Sequence, residues 1–446
     1  MQPQFDLTLS ADVPLGGTCL LPGDKSLSHR AALFAALAEG ESVIDRFLVS
    51  GVTHAMLNAL DALGIVWHLD DSRLTVQGRG LRGFTPPAAP LDCGNSATTI
   101  RLLAGALAAA GTPCTLDGSA GLRRRPMDRI TAPLLRMGVP ITSSDGCAPL
   151  TLAARAASHP LTAVDETLPV ASAQVKSCLI LAALAADGES TLREPGPSRD
   201  HTERMLAAMG ADIRVEGRAV TVAPLLQPLT PLRMTLPGDI SSAAFLLVAA
   251  ALVPGSELCV RDVGVNPTRT GILDVLREMG ARITVENPRV VAGEPVGDIR
   301  LVAAPLQAVR VGGDTVVRMI DEFPVFAVAA CFASGVTEVH DAEELRYKET
   351  DRISVLCGEL KVLGVQVAER RDGFTIKGGT LAGGACDAHG DHRLAMSLAL
   401  AGLAAPAPVT VHHAEILNES FPGFVEQLRE LGVSVRAGSK ESSESK

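Results

Sequence analysis

The chain has 446 residues, of which 47% are hydrophobic and 20% charged, and its formal net charge is −10. This length is too great for one ordinary domain and fits two or three, each able to bury a full core. The acidic balance and the few aromatic residues (11 Phe, one Trp and one Tyr) argue against a nucleic-acid partner, because such a partner requires a basic surface and stacking side chains.

The cysteines and the apolar segments indicate the cellular compartment in which the protein works. The nine cysteines are scattered, odd in number and mostly set within apolar runs, without the spacing of metal ligands or of a secreted disulfide framework. The first residues lack the basic start and apolar run of a secretory signal, and the longest apolar runs, such as 243–255, are too short to span a membrane. We therefore predict a cytoplasmic protein without a membrane partner.

One pattern repeats six times along the chain. Each copy has a start marked by polar residues, Gly or Pro, then an Ala- and Leu-rich helix and a short β-prone segment. These helices begin near residues 24, 95, 172, 239, 321 and 391. An amphipathic helix closed by Gly and followed by a strand comes after each of them, as at 56–69 and 272–285. The repeating unit is therefore an α/β module with two helices and roughly 70 residues.

Six such modules favour two globular halves over a solenoid, because solenoid repeats are usually shorter. The two LPGD segments, 21–24 and 236–239, have the right separation to mark crossings between the halves. We predict a contiguous domain at 24–238 and a discontinuous domain formed by 1–23 and 239–446, each with three modules. The segment 438–446 is poor in apolar residues, which predicts a disordered tail.

The polar residues at the helix starts carry the functional signal. A helix start attracts anions through its unsatisfied N–H groups and its dipole, and Lys25, Ser26 and Arg30 add cations and hydroxyls there. A structural alternative is that Asp24 caps this helix while Lys25 and Ser26 face solvent. The other starts carry different polar sets, namely Asn95, Ser96, Thr98, Arg101 and 123–129, then Ser172, Gln174 and Lys176, then Asp321, Glu322 and 346–352, and finally His392 and Arg393. Together they predict a cleft lined by five or more cations and a few carboxylates, suited to small substrates with several negative charges.

Several of these features also fit a purely structural interpretation. Residues 123–125 fit a solvated charge run, and 348–352 fits surface ion pairs at helical spacing. His392 fits a packed or capping histidine, and the fourth helix start at 239–242 has no cation and fits a cap.

No phosphate-binding loop, dinucleotide fingerprint or convincing set of metal ligands occurs in the sequence. The candidates for acid–base catalysis are therefore Asp321, Glu349, Lys25 and Lys348, and arginines would neutralise the charge of the substrates.

Seven segments together resemble the 5-enolpyruvylshikimate-3-phosphate synthase family of enolpyruvyl transferases. They are LPGDKSLSHR, GNSAT, RRRPM, ASAQVKS, RYKETDR, DHRLAM and SFPGF, in the family's order across practically the whole chain. The resemblance implies an α/β fold of two similar domains, each with three βαβαββ units arranged as an inside-out α/β barrel. It also implies transfer of the enolpyruvyl group of phosphoenolpyruvate to the 5-hydroxyl of shikimate 3-phosphate, with release of phosphate and without a metal or organic cofactor. This reaction belongs to the shikimate pathway towards chorismate and aromatic amino acids.

The resemblance further implies roles for individual residues. Shikimate 3-phosphate would be held, chiefly by the contiguous domain, through Lys25, Ser26, Arg30, Ser172, Ala173, Gln174, Ser198, Asp321 and Lys348. Phosphoenolpyruvate would be held, chiefly on the side of the discontinuous domain, through Lys25, Asn95, Ala97, Arg125, Gln174, Arg352 and Arg393. Asp321 would accept the proton of the 5-hydroxyl, while Glu349 and Lys25 would handle the proton at the methylene carbon. Several arginines suit phosphoenolpyruvate, because its phosphate and carboxylate lie on adjacent atoms.

Four positions depart from the commonest pattern of the family. Ala97 stands where many members have glycine, and its methyl group would crowd a ligand longer than phosphoenolpyruvate, which predicts reduced sensitivity to glyphosate as in the alanine-bearing class. Glu419 stands in place of a lysine, His201 in place of a tyrosine and Ala173 in place of a serine.

Two alternatives remain open at this point. A related transferase acts on UDP-N-acetylglucosamine and shares the fold, but it usually carries a reactive cysteine close before its Arg-Pro pair, whereas Cys114 lies eleven residues before Arg125. A non-catalytic anion-binding protein of the same fold would not need Asp321 and Glu349, whose charge opposes an anion. We expect a monomer, because no exposed apolar helix is evident.

Overall fold

The chain divides into two compact units in the structure, a computed structural model that describes residues 5–156 and 158–439. Unit 1 comprises Met1–Pro22, Gly238–Arg289 and Pro295–Lys446, and unit 2 comprises Gly23–Pro237 and Val290–Glu294. The short segment Val290–Glu294 is thus grouped with unit 2, which the two predicted crossings did not include. The predicted disordered tail lies outside the described residues from 440 onwards, and its first two residues belong to a strand.

Unit 2 consists of three modules with the same succession of elements. The chain opens with two strands of unit 1, β1 (Phe5–Ser10) and β2 (Gly16–Leu20). The elements of unit 2 follow as α1 (Lys25–Leu37), β3 (Glu39–Asp45), α2 (Gly51–Ala62), β4 (Val66–Asp70), β5 (Arg73–Arg79), β6 (Leu91–Asp92), α3 (Ala97–Ala110), β7 (Cys114–Asp117), α4 (Asp128–Arg136), β8 (Ile141–Ser144), β9 (Cys147–Leu152), β10 (Asp165–Thr167), α5 (Ala173–Ala183), β11 (Ser190–Arg193), α6 (His201–Ala208), β12 (Ile213–Glu216), β13 (Ala219–Val222) and β14 (Arg233–Thr235).

Unit 1 repeats this succession with one additional short helix. Its elements are α7 (Ile240–Leu252), β15 (Glu257–Gly264), α8 (Gly271–Glu278), β16 (Arg282–Val291), β17 (Glu294–Val302), β18 (Arg310–Val311), α9 (Asp314–Arg318), α10 (Phe323–Cys331), β19 (Val336–Val339), α11 (Arg352–Val362), β20 (Gln366–Arg370), β21 (Gly373–Lys377), β22 (Gly384–Asp387), α12 (His392–Ala401), β23 (Val409–His412), α13 (Phe424–Glu430) and β24 (Ser434–Ser439). Single 3₁₀ turns occur at Leu122–Arg124, Glu343–Tyr347 and Ala414–Glu419.

The strands form six four-stranded sheets with one common order. In unit 2 the orders are β14-β3-β5-β4, β6-β7-β9-β8 and β10-β11-β13-β12, and in unit 1 they are β2-β15-β17-β16, β18-β19-β21-β20 and β22-β23-β1-β24. The first two strands in each order are parallel, and the third is antiparallel to the second. In four of the sheets a helical crossover connects the two parallel strands, whereas β14 and β3, and likewise β2 and β15, are far apart along the chain. The prediction of six βαβαββ modules is confirmed.

The first helix of each module is buried, and the sheets lie outside it. Helices α7, α10 and α12 are buried at every residue, and α1, α3 and α5 are nearly as enclosed. A helix that is apolar on every face belongs in a core, which explains the Ala- and Leu-rich composition. Each unit has its own hydrophobic core around its three central helices. Because these helices are enclosed, their polar starts hold the side chains that can meet a ligand.

Replacing Gly105 with Ala is expected to destabilise unit 2 by about 3 kcal/mol, at the upper end of the usual cost of overpacking. Helix α3 packs so closely on α5 that a Cβ at Gly105 would lie 2.2 Å from the Cys178 carbonyl oxygen. The backbone carbonyl cannot move aside as a flexible side chain could. Urea unfolding of the purified variant measures the change.

The matched control is Gly358→Ala, since Gly358 lies within α11 and a Cβ there would meet nothing within 4 Å. This variant is expected to gain up to about 1 kcal/mol from helix propensity. Equal stability of both variants would contradict the close approach of α3 and α5.

In the described ranges, none of the helices has the length and apolar character needed to cross a membrane.

Candidate active site

The start of α1 combines a helix cap with a buried arginine. Asp24 Oδ1 accepts from the Leu27 N–H at 2.8 Å, so the capping interpretation of Asp24 is confirmed. Lys25 and Ser26 are half-buried at the first turn. Arg30 is buried and donates from Nε to Thr202 Oγ1 at 2.8 Å and from Nη2 to Ser177 Oγ at 2.9 Å. Its hydrogen bonds fix the guanidinium against neutral hydroxyls.

Burial changes the acidity of Arg30 without removing its charge. Desolvation lowers the pKa of Arg30 to about 10, and the carboxylate of Glu203 acts in the opposite direction. The guanidinium is therefore still protonated at neutral pH. Arg199 also lowers the pKa of Arg30, which places a second cation within electrostatic reach. Arg199 was not among the predicted site residues, although it follows Ser198 directly.

The other candidates of unit 2 lie at the start of α5 and just before α6. Ser172, Ala173 and Gln174 are half-buried at the first turn of α5. Ser198 is 4% exposed, and its hydroxyl has no hydrogen-bond partner among the described residues. A buried hydroxyl without a partner carries a free-energy cost, so Ser198 suits a polar ligand that would satisfy it.

The start of α3 holds Gln174 in a fixed orientation. Arg101 Nη1 donates to Gln174 Oε1 at 2.5 Å, and Gln174 Nε2 donates to Thr98 Oγ1 at 2.8 Å. Ala97 is the first residue of α3 and is buried, and Asn95 Oδ1 accepts from Ser119 Oγ at 3.0 Å. The structure thus brings the second and third predicted helix starts together.

The three consecutive arginines have different surroundings. Arg123 is exposed and forms an ion pair with Asp117, and Arg124 is also exposed, so the surface interpretation is correct for these two. Arg125 ends the 3₁₀ turn at Leu122–Arg124, and only 9% of it is exposed. One residue of the run is therefore suited to a buried ligand.

One expectation for unit 2 was wrong. Lys176 was predicted to line the cleft, but it is buried and forms ion pairs with Glu194 and Glu203 at 2.7 and 2.6 Å. Lys176 lies on the inward face of α5, which the pattern of cations at helix starts could not distinguish from the outward face.

His201 stands in place of a tyrosine of the family pattern. It is buried against the segment of unit 2 supplied by the β16–β17 hairpin, with Nδ1 2.8 Å from Glu294 Oε1.

Unit 1 has a cluster of charges around Arg352, the first residue of α11. Only 1% of Arg352 is exposed, and its Nε and Nη2 donate to the two oxygens of Asp391 at 2.8 and 3.2 Å. Nη2 also donates to Glu349 Oε2 at 2.7 Å. Burial lowers the pKa of Arg352, but Asp391 and Glu349 outweigh it, and the net shift is upward. Arg352 is therefore a permanent buried cation.

Asp321 lies between two arginines of this cluster. Its Oδ1 is 3.7 Å from Arg352 Nη1, and its Oδ2 is 3.9 Å from Arg393 Nη2. Arg352 Nη1 has no hydrogen-bond partner within the described part of the chain. Because Asp321 and Glu349 keep 18% of their side-chain area exposed, a ligand can reach both carboxylates.

The remaining candidates of unit 1 surround this cluster. Lys348 is half-buried and directly precedes Glu349. His392 is buried, with Nδ1 3.7 Å from Glu419 Oε2. Arg346 of the same motif instead forms surface pairs with Asp351 and Glu369. The RYKETDR segment therefore contains both surface ion pairs and candidate site residues.

Asp391 belongs to this candidate site through its contact with Arg352, although it was not among the predicted site residues. It is fully buried, and its Oδ1 also accepts from the Arg393 N–H at 2.9 Å as the cap of α12. Burial raises the pKa of Asp391, but Arg352 outweighs it, so the pKa lies below its ordinary value. The sequence feature that could have indicated Asp391 is an acidic residue directly before His-Arg at a predicted helix start.

The start of α7 shows a second buried network. Asp239 accepts from the Ser241 N–H at 2.8 Å and from Arg269 Nη2 at 3.2 Å, so the expected capping role is confirmed. Ser241 also donates to Glu322, the neighbour of Asp321. This network holds the chain at the start of α10, next to the candidate base.

These arrangements can bind anions and move protons. Buried guanidinium groups held by carboxylates keep their orientation and their charge, and a carboxylate between two of them is positioned beside a bound anion, where it can exchange a proton with the substrate. Within the described residues, no group of three His, Cys, Asp or Glu side chains is placed to hold a metal ion.

The fold and these charged helix starts define a class of enzyme, the carboxyvinyl (enolpyruvyl) transferases built from six βαβαββ modules. Two solved structures of EPSP synthase from Acinetobacter baumannii match this chain with TM-scores of 0.86 and 0.85 at 39% and 38% identity, covering 98% and 97% of this chain and 100% and 99% of the other.

The family model of EPSP synthase (3-phosphoshikimate 1-carboxyvinyltransferase) matches residues 9–428, and the chain belongs to this family. A 3-phosphoshikimate 1-carboxyvinyltransferase of Syntrophomonas wolfei is 48% identical over 95% of this chain and 98% of its own. That of Methylococcus capsulatus is 46% identical over 94% of this chain and 95% of its own. The family predicted from the seven sequence segments is confirmed.

Proposed function

We propose that this chain transfers the carboxyvinyl group of phosphoenolpyruvate to the 5-hydroxyl of shikimate 3-phosphate and releases phosphate. Membership of the family, over practically the whole length of this chain and of its relatives, supports the reaction. The observation that carries the chemistry is the position of Asp321 between Arg352 and Arg393, beside Glu349. Addition of an alcohol to the double bond needs a base and an acid, and both must work next to a charged intermediate.

Unit 2 is assigned the phosphate ester. Its contacts would come from Lys25, Ser26 and Arg30 at the start of α1, from Ser172, Ala173 and Gln174 at the start of α5, and from Ser198, with Asp321 and Lys348 of unit 1 completing the set. The buried hydroxyl of Ser198 and the fixed guanidinium of Arg30 support this assignment. Both offer hydrogen bonds that a phosphate oxygen can accept.

Phosphoenolpyruvate is assigned to Arg352 and Arg393 of unit 1 and to Lys25, Asn95, Ala97, Arg125 and Gln174 of unit 2. Arg352 and Arg393 are held by Asp391 and Asp321. Proton transfer is assigned to Asp321 at the 5-hydroxyl and to Glu349 and Lys25 at the methylene carbon. A carboxylate near a substrate anion opposes its binding, and proton exchange during the reaction gives Asp321 and Glu349 a role that offsets this cost.

The decisive experiment measures release of phosphate from phosphoenolpyruvate. We expect release with shikimate 3-phosphate and none with UDP-N-acetylglucosamine or without an acceptor. Release with the nucleotide sugar would favour the related transferase, and no release under any condition would favour an anion-binding protein.

Replacing Ala97 with Gly is expected to strengthen inhibition by glyphosate about tenfold or more, because overpacking by one methyl group costs ~1–3 kcal/mol. Ala97 is buried at the start of α3, so its methyl group takes up space beside the proposed phosphoenolpyruvate site. The inhibition constant against phosphoenolpyruvate is the measurement.

Ala110→Gly is the control for this prediction, because Ala110 ends the same helix and the variant loses the same helix propensity. Its inhibition constant should match that of the unmodified chain. An inhibition constant of the Ala97→Gly variant that is also unchanged would contradict the proposal.

We also propose that the chain acts as a monomer in the cytoplasm. The nine cysteines are free thiols, and seven of them are buried, which fits a reducing compartment. Light scattering of the purified chain should give a mass near 46.3 kDa. Twice that mass at micromolar concentration would contradict the monomer.

A further inference from the structure

Unit 2 contains a buried group of three charges that the proposed chemistry does not use. Lys176 Nζ lies 2.7 Å from Glu194 Oε2 and 2.6 Å from Glu203 Oε1, and the three side chains are 1%, 7% and 4% exposed. Lys176 belongs to α5, Glu203 belongs to α6, and Glu194 follows β11. We call Lys176, Glu194 and Glu203 the buried triad.

With both carboxylates ionised, the buried triad has one more negative charge than positive. An uncompensated charge in a protein interior is costly, so a neighbouring cation has to balance it. Arg30 is that cation, because Glu203 is the strongest of the charged groups that raise its pKa. The two are linked through hydroxyls, since Arg30 donates to Ser177 and Thr202, the sequence neighbours of Lys176 and Glu203. These hydroxyls also bond to each other at 2.6 Å.

The other charged groups near Arg30 and the buried triad have effects of opposite sign. Asp24 and Glu294 act on Arg30 in the same direction as Glu203, and Arg199 acts against them. Asp200 opposes ionisation of Glu203, and Arg204, whose Nε lies 2.8 Å from Asp200 Oδ2, is a further cation whose pKa Glu294 and Glu203 raise. Arg30 and the buried triad therefore form a nearly neutral group. Within it, the negative charge of Glu203 is the least stabilised by its surroundings.

Glu203 is also the member of the triad whose carboxylate is most easily protonated. Burial raises the pKa of Glu203, and Lys176 opposes the shift without cancelling it. Its Oε2 has no well-aligned hydrogen-bond donor among the described residues. A buried carboxylate oxygen without a donor favours the protonated form.

We propose that Glu203 takes up a proton from solvent when the phosphate ester binds beside Arg30. The ester brings up to two negative charges to the guanidinium that balances the buried triad, so the excess charge of the triad is no longer offset. A proton that adds to a carboxylate oxygen of Glu203 removes the excess, and Lys176 keeps Glu194 as its partner. The inference rests on the proposed placement of shikimate 3-phosphate at the starts of α1 and α5.

Titration calorimetry of shikimate 3-phosphate binding tests the proposal. Runs at pH 7.5 in two buffers of different ionisation enthalpy give the number of protons taken up. At this pH the ligand phosphate, with a second pKa of about 6, is almost fully ionised and contributes little. We expect the unmodified chain to take up protons on binding, in an amount that differs from zero once the buffer contribution is removed.

Glu203→Gln is expected to abolish this uptake, whereas Glu189→Gln is expected to leave it unchanged. Glu189 is an exposed carboxylate of the same unit, paired with Arg214 at the surface. Equal uptake by the unmodified chain and by Glu203→Gln would overturn the proposal. If Glu203→Gln does not fold, difference infrared spectra of the unmodified chain decide, and absence of a new carboxylic acid band on binding overturns it.

The variant Arg30→Gln tests whether shikimate 3-phosphate binds beside Arg30, independently of proton uptake by Glu203. We expect the affinity for shikimate 3-phosphate to fall at least tenfold, since a buried charged hydrogen-bond donor is lost. Unchanged affinity would mean that the ester binds elsewhere. If Arg30→Gln weakens binding of shikimate 3-phosphate while Glu203→Gln still takes up the proton, the ligand binds beside Arg30 as proposed. In that case only the assignment of the proton to Glu203 is overturned.

Discussion

Replacing Asp321 with Asn lowers kcat by a factor of about 10² to 10⁴, the usual contribution of a positioned general base. The amide keeps the size of the side chain but cannot accept the proton of the 5-hydroxyl. Asp321 lies 3.7 and 3.9 Å from the guanidinium groups of Arg352 and Arg393, beyond hydrogen-bond distance, and Asp391 still binds Arg352 in this variant, so phosphoenolpyruvate binding should be affected less than the proton transfer. The measurement is steady-state kinetics with both substrates, in which KM should change less than kcat.

The control for this prediction is Asp314→Asn, because Asp314 is an exposed carboxylate seven residues earlier in the same unit. It should retain the kcat of the unmodified chain. A fall of less than tenfold for Asp321→Asn would show that another group accepts the proton.

Replacing Asp391 with Asn is expected to destabilise unit 1 by about 3–5 kcal/mol and to weaken phosphoenolpyruvate binding. Asp391 is fully buried and binds Arg352 through both oxygens, so its neutralisation leaves an incompletely paired buried cation. Urea unfolding at pH 7 and the KM for phosphoenolpyruvate measure the two effects. Asp274→Asn is the control, since its pair with Arg318 is surface-exposed and should contribute less than about 1 kcal/mol.

The pH dependence of this effect has a definite sign. The pKa of Asp391 in the folded chain is held below its unfolded value, principally because the attraction of Arg352 outweighs burial. Its stabilising contribution is therefore fully present above the unfolded pKa of about 3.9 and is lost as the pH falls through the lower folded pKa. The stability difference between the unmodified chain and Asp391→Asn should shrink below about pH 4. A difference that grows in acid would contradict this assignment.

The modules were predictable from sequence because their signals are local. A polar start, a helix apolar on every face and a closing Gly recur at each copy, and α1 and α7 begin one residue after Asp24 and Asp239. The side chains at the starts were predictable for the same reason, since they lie within a few residues of the helix caps.

The partners of these side chains were not predictable, because they come from distant parts of the chain. Lys176 has the same local sequence signal as a site cation, yet Glu194 and Glu203 bury it. Arg123 and Arg125 belong to one basic run, and only the geometry of the 3₁₀ turn separates a surface residue from a buried one. Asp391 is recognisable as a site residue only once Arg352 is known to contact it.

The third sheet of unit 1 sets an order of events during synthesis. Strand β1 is central in that sheet and pairs with β23 and β24, so Leu7 lies opposite both Val411 and Ala437. On a ribosome that adds 5–20 residues per second, β1 emerges about 20 to 90 s before these partners exist. Unit 2 can fold from one nearly continuous segment during that interval, while the unpaired strand has to be kept from pairing wrongly. A nascent chain stalled before residue 409 should therefore protect the helices of unit 2 from protease and leave β1 open to cleavage.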